Sequence, residues 1–214
     1  DERPARQVLH QLSRADGGVD EVVAIYTPSW AIGSGEASQE LPVLAASANV
    51  WQLFDSRPLL GRFFDAEEDS LPERSRVAVL GYGFWQSHYG GQRDVVGEGL
   101  RIGRNGYTIV GVAPPEFAGF GLEQPAVIIP ITAAASGEAF GGDARVATSY
   151  GYNWLTILAR RRPGVSVEAA DQDLSAAYRR SYDARRAEQP GMPPPELSRP
   201  HAIAGPIQRE QGPH

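Results

Sequence analysis

Cysteine is absent from this 214-residue chain. That excludes disulfides, thiolate nucleophiles and Cys-ligated zinc, and it leaves the redox compartment open. Lysine is absent too, since all 20 basic residues are Arg. Neither a Schiff base nor a P-loop lysine is therefore available. No uncharged run reaches the ~18 residues that a membrane-spanning helix needs. Methionine occurs once, at Met192, and the chain begins at Asp1. Such a start reads as a processed chain or a cut piece, with any targeting segment removed. An excess of positive charge is missing as well: the net charge is −6, which argues against nucleic acid as a partner.

What is abundant is turn chemistry. The 24 Gly and 17 Pro make up about a fifth of the residues, against roughly an eighth in an average protein. Short strands, many turns and few long helices follow. Arg3 to Ser13 reads as a short helix. Val19 to Tyr26 and Leu41 to Ala48 read as strands, and Asn49 as the cap of a short helical turn. The segment Arg57 to Phe64 is apolar but holds Pro and Gly, so it reads as a loop packed on a core. Leu71 to Ser75 is polar loop. Val77 to Leu80 reads as a buried strand, and Gly81 to Tyr89 as a helix stopped by Gly90-Gly91. Leu100 and Ile102, then Tyr107 and Ile109, alternate with polar residues. Asn105-Gly106 between them predicts a two-residue hairpin turn that sets Ile102 opposite Ile109 and Arg101 opposite Val110. Ala126 to Ile131 and Trp154 to Ala159 read as strands, Ala133 to Ser149 as a loop and Ala202 to Ile207 as a last short strand. Ser166 to Arg186 is the best helix. It has Ser166 as N-cap and Val167, Ala170, Leu174, Ala177, Tyr178 and Tyr182 on one stripe. Acids stand near its start and arginines near its end, matching the helix dipole.

Catalytic motifs are missing. No GxSxG, GxxxxGK[ST] or HExxH occurs. Gly33-Ser34-Gly35 and Gly81-Tyr82-Gly83 begin like a dinucleotide fingerprint but reach Ser38 and Gln86 where the last Gly belongs. His10, His88, His201 and His214 are scattered without ligand spacing, and His88 reads as a packed core or interface histidine. The run Asp65 to Asp69 lacks the ligand spacing and the Gly of a calcium loop, so it reads as a solvated loop or helix start. Asp171 and Asp173, two apart on a helix, face different directions. Arg160-Arg161-Arg162 reads as a solvated strand end, with an acidic partner or lipid headgroups as the functional alternative. Trp51, Trp85 and Trp154 suggest core packing. Trp30, in a predicted loop between Pro28 and Gly33, is the candidate for an exposed aromatic contact.

Three stretches carry a family likeness. "ANVWQLFDSRPLLGRFFDAEED" resembles "NYFxVLGVRPxLGRFF" followed by acids. "VAVLGYGFWQSHYGGQRDVVGEGLRIGRNGYTIVGVAPPEF" resembles a strand, a helix ending in GG, an NG hairpin and a closing PPxF. "LARRRPGVSVEAADQDL" resembles a strand, a PGVS turn and a helix. Together they resemble the MacB-like periplasmic core domain of FtsX-type ABC transporter permeases, most of all the duplicated permeases without a fused ATPase. The likeness runs from about Leu41 to Tyr182. There are departures: Asp55 replaces a usual Gly, Gly81 replaces a usual helix-capping Ser, and Ala126 replaces a usual Asp.

The resemblance implies an α+β fold in two lobes. One is a small α/β, porter-type lobe built from both chain ends, residues 1–40 with 140–214. The other is an inserted, mostly-β lobe, residues 41–139. It implies an extracytoplasmic domain between two transmembrane helices, with both ends of the ordered domain close together on one face. It implies no enzyme activity, no catalytic residue, no cofactor and no metal. Nucleotide would act on a separate cytoplasmic ATPase, and the other partners would be the permease's own membrane helices and a periplasmic adaptor or substrate. Two other classes compete. A periplasmic ligand-binding module for a peptide, lipid or antibiotic predicts an apolar cleft with a few polar groups. A secreted carboxylate hydrolase predicts two acids at glycosidase separation.

Overall fold

The computed structural model describes residues 17–70, 75–119, 124–135, 154–189 and 191–202. The expected helix at Arg3 to Ser13, most of the loops expected at Leu71 to Ser75 and Ala133 to Ser149, and most of the strand expected at Ala202 to Ile207 lie outside them. So do His10, His214 and the two chain ends. The described residues form a mixed α+β structure with a sheet-dominated core, divided into two compact units. One holds residues 24–135 and the other residues 17–23 with 154–202.

The larger unit is built on β2 (Ser29–Ile32), β3 (Gln39–Ala46), β5 (Val77–Leu80), β6 (Gly99–Ile102), β7 (Asn105–Val112) and β8 (Val127–Pro130). β2 pairs antiparallel with β3, from Ser29↔Pro42 to Ile32↔Gln39. β3 pairs parallel with β8 and β8 antiparallel with β5. β5 pairs parallel with β7, with a register shift between Ala78 and Val79. β7 pairs antiparallel with β6, and β6 returns to β2 through Ile32↔Ile102. The six strands therefore close into a ring, joined between β2 and β6 by that single pair. The two-residue strand β4 (Leu60–Gly61) adds to β7, and the end of β1 (Val19–Tyr26) adds to β3. Residues 43–46, 78–80 and 127–130 are buried at every position. Their sequences are continuous apolar runs for that reason, where a strand with one wet face would alternate.

The hairpin turn differs from the sequence expectation. The register is Ile102↔Asn105, Arg101↔Gly106 and Leu100↔Tyr107, so the turn is Gly103-Arg104 and Asn105-Gly106 lies in β7. Gly103 takes φ 55°, while neither Asn105 nor Gly106 has positive φ. A two-residue hairpin can be made with Gly at its first central position. Shifting the turn by two residues keeps every side chain on its face, so hydrophobic alternation does not distinguish the two registers.

Other local details follow from packing. The short helix α1 (Val50–Leu53) has Asn49 at its N-cap, but the side chain makes no cap bond; Asn49 Oδ1 accepts from Ser47 Oγ at 2.9 Å. Asp55 has φ 49°, a conformation that a Gly, usual there in the resembled family, adopts freely. Helix α2 (Tyr82–Tyr89) starts at Gly81 without a side-chain cap and ends at Gly90 in the left-handed conformation. A Cβ at Gly81 would run into the carbonyl oxygen of Pro125. Packing therefore demands Gly there, at the expense of the cap. Short helix α3 (Ile131–Ala134) begins the stretch expected as loop.

In the smaller unit β9 (Thr156–Arg161) pairs with the start of β1, and Arg162 N donates to Gly18 O at 3.1 Å. Helix α4 (Val167–Glu188) packs on these strands. Its Ser166 cap accepts from Ala169 N at 3.1 Å. The core is Val19, Val22, Ala170 and Ala177, with Ile157, Ala159, Val165 and Leu174 partly buried against it. Val167 and Tyr178, expected on the apolar stripe, are exposed, whereas Ser175 and Ser181 are buried. Ser175 Oγ explains its own burial: it donates to Ala202 O and accepts from Ala202 N, both at 3.1 Å. Short helix α5 (Pro195–Ser198) follows, and Tyr182 Oη donates to Pro193 O at 2.9 Å.

Candidate functional site

The acidic run is absorbed by the fold of the larger unit. Asp65 Oδ1 accepts from Glu67 N and Glu68 N at 2.9 and 3.0 Å. Glu68 receives two bonds of 2.7 Å from the Arg62 guanidinium. That pairing holds the Glu68 carboxyl below its ordinary range and raises Arg62, against the opposing pull of partial burial. Asp69 joins three segments: Oδ2 accepts from Ala48 N at 3.1 Å, and Oδ1 accepts from Thr132 N and Oγ1 at 3.1 and 3.0 Å. The expectation of a solvated loop or helix start is thus met at one end of the run and corrected at the other. Only Asp65, Ala66 and Glu67 are exposed, while Glu68 and Asp69 bind the chain to itself. Among the described residues no cluster of His, Asp or Glu is placed to hold a metal ion.

The other singled-out residues are also apart. His88 is exposed, which corrects the core half of its reading, and it stacks on Phe84 with ring centroids 4.3 Å apart. His201 Nδ1 lies 3.0 Å from Arg199 O. Arg160 pairs with Asp20 at 3.0 Å, and Arg161 donates to Val165 O. The Gly33-Ser34-Gly35 stretch is a turn leading into the 3-10 segment Gly35–Ala37, with both glycines at positive φ. Trp51 is buried and stacked on Phe63 at 3.7 Å, with Phe64 and Phe117 around it. Its Nε1 has no partner among the described residues. Trp85 is buried with Nε1 donating to Gln92 O, whereas Trp154 is only half-buried.

Trp30 lies in strand β2, where the sequence predicts a loop. It is half-buried, and Tyr26 meets it edge to face at 6.3 Å. Beside it the β2–β6 ladder stops after one Cα pair, because the hairpin turns away at Gly103-Arg104. A cleft of about 230 Å³ opens at this place, lined among others by Ser29, Trp30, Glu40, Gly103, Asn105 and Tyr107. Glu40 is the one charged residue in the lining. Sequence reasoning picks out Trp30 but not its companions, because only the ring closure brings β3 and the hairpin beside it.

The described residues thus form a mixed α+β fold built around a closed ring of short strands, and the cleft at Trp30 is lined by residues from four of them. Residues 2–177 match the MacB-like periplasmic core domain, and the chain belongs to that family. The fold is similar to the extracellular domain of the noncanonic ABC-type transporter YknZ from Gram-positive bacteria, with a TM-score of 0.60 and 14% identity over 83% of this chain and 82% of that one. It is similar to the periplasmic region of MacB from Actinobacillus actinomycetemcomitans, with a TM-score of 0.60 and 10% identity over 90% and 85%. A domain of a putative permease protein from Porphyromonas gingivalis matches with a TM-score of 0.56 and 18% identity over 90% and 72%. No curated protein matches the chain at a significant level.

Proposed function

We propose that this chain is the extracytoplasmic domain of an ABC transporter permease that couples ATP-driven movement of membrane helices to export of a substrate or to a periplasmic partner. The family match over residues 2–177 carries the proposal. The likeness to the MacB and YknZ domains supports it at the level of fold. In this reading nucleotide acts on a separate cytoplasmic ATPase, which agrees with the missing P-loop and lysine. The lobe built from both chain ends is carried by the membrane helices, and the inserted mostly-β lobe meets the substrate or partner. Among the described residues no helix is long and apolar enough to cross a membrane.

The test uses the whole permease reconstituted with its ATPase in vesicles. The chain has no cysteine, so single-cysteine labels at Arg93→Cys and Arg180→Cys report cleanly on one unit each. Their separation is expected to change on ATP binding and to return after hydrolysis. An unchanged separation through the cycle, with transport intact, overturns the coupling role.

A further inference from the structure

We infer that residues 193–202 form a releasable strap on helix α4, and that its release gives slack to the chain beyond Ala202 when the permease moves. This deepens the proposed function by naming a moving part, and it rests on that reading.

The first observation is how the strap is held. It runs back along α4, and side chains on three successive turns of the helix fasten it, mostly by its main chain. Tyr182 Oη donates to Pro193 O at 2.9 Å and lies 2.7 Å from Ser198 Oγ. Arg179 Nε donates to Pro200 O at 3.3 Å. Ser175 Oγ donates to Ala202 O and accepts from Ala202 N, both at 3.1 Å. Ser175, Arg179 and Tyr182 follow the spacing of three and four that puts side chains on one helix face. The polar stripe and the strap are therefore matched along their length.

The second is what the hold lacks. Pro200 is the strap's one buried residue. Leu197, its bulkiest apolar side chain, is 77% exposed. Each of the bonds adds little net stability, because water takes its place when it opens. A segment with few buried apolar contacts belongs to the part of a fold that opens first. Arg199, at the end of α5, has φ 47°. That conformation strains a residue with a Cβ, and release relieves it.

The third is what release yields. Pro193, Pro194, Pro195 and Pro200 keep the freed segment extended rather than collapsed, at ~3.1 Å per residue. In the proposed permease the chain beyond Ala202 leads to a membrane helix. A fastened strap ties that helix to α4. A freed one lets it move without pulling α4 from its strands.

The test starts with amide hydrogen exchange of the isotope-labelled 214-residue chain by NMR. The Ala202 amide reports on the strap. The amide of Ala177, in the core of the same unit, reports on the fold beneath it. Corrected for intrinsic rates, Ala202 is expected to exchange roughly a hundredfold faster than Ala177, or more. Tyr182→Phe removes the bonds at the other end of the strap. It is expected to speed exchange at Ala202 roughly two- to tenfold and to leave Ala177 unchanged. Leu197→Ala is expected to leave both rates unchanged. Exchange of Ala202 in step with Ala177 overturns the inference, because the strap then opens only with the whole unit. An Ala202 rate untouched by Tyr182→Phe overturns it too, because that end then frays alone. So does a Leu197→Ala variant that loosens Ala202 as much as Tyr182→Phe does, since the hold is then apolar. The role in coupling is tested in the whole permease reconstituted with its ATPase. Ser175→Cys and Ala202→Cys are joined by a short thiol-reactive cross-linker, and formation of the link is read by mass. Transport is expected to be lost in the linked permease and kept in the singly substituted ones treated alike. Transport at the parent rate with the strap locked overturns that role. Each of these failures leaves the permease reading intact, because that reading is judged by the label separation during the transport cycle.

Discussion

The two compact units bury apolar surface by different means. In the larger unit Val79, Ile109, Ile128 and Ile129 are 0% exposed, all contributed by strands of the closed ring. In the smaller unit the buried apolar residues among those described are Val19, Val22, Val23, Ala170 and Ala177, and the bulkier Ile157 and Leu174 are only partly covered. The smaller unit relies instead on directional bonds: the Ser166 cap, the Ser175 bridge to Ala202 and the Asp20–Arg160 pair. A ring of β-branched side chains resists deformation because close packing leaves no slack. A helix laid on two strands through small residues gives way at lower cost.

The sharpest way to break this contrast is a matched pair of truncations. Ile128→Ala leaves a cavity in the ring and is expected to cost about 2–5 kcal/mol. Leu174→Ala removes a side chain that is already partly hydrated and is expected to cost about 1–2 kcal/mol. Urea denaturation of both variants checks the order. Equal losses would show that the smaller unit has as tight a core as the ring.

A smaller effect tests the β6–β7 turn, beside the β2–β6 junction where the ring is closed by a single Cα pair. Gly103→Val places a β-branched side chain at φ 55° and is expected to cost about 1 kcal/mol or more. Gly106 sits at an ordinary strand position, and a Cβ added there would meet nothing within 4 Å. Gly106→Val is therefore expected to stay within about 0.5 kcal/mol of the parent. The reverse order of denaturation midpoints would return the turn to Asn105-Gly106.

The smallest effect concerns polar fastening in the larger unit. Glu68 has its carboxyl lowered mainly by the hydrogen bonds from Arg62. A lowered folded value means a contribution to stability that is full above the ordinary carboxylate pKa and is lost as pH falls through the folded value. The Arg62 side chain is 54% exposed, so solvent screens the pair, and Glu68→Gln is expected to cost only ~0.2–1 kcal/mol at neutral pH. Denaturation across the acid range should show the gap between parent and variant closing as pH drops. A gap that persists at the acid end would mean that the charge of Glu68 is not what stabilises this loop.

Local order was legible in the residues themselves. β1 and the strand Val77–Leu80 follow from their β-branched runs, helix Tyr82–Tyr89 from its glycine stop, and helix α4 from its Ser166 cap and charge gradient. These depend on neighbours within a few residues, where capping, propensity and the helix dipole act. The closed ring was not legible, because β3–β8 and β5–β7 are parallel pairs between segments far apart in the chain. The same distance hid the role of Asp69, whose partner Thr132 is 63 residues away, and the company of Glu40, Tyr107 and Trp30 around one cleft. Hydrophobic alternation fixes which face a side chain takes but not which strand stands beside it. The choice of hairpin turn shows the limit: two registers obey the same alternation, and only the backbone of Gly103, fitted against Ala31 on the neighbouring strand, decides between them.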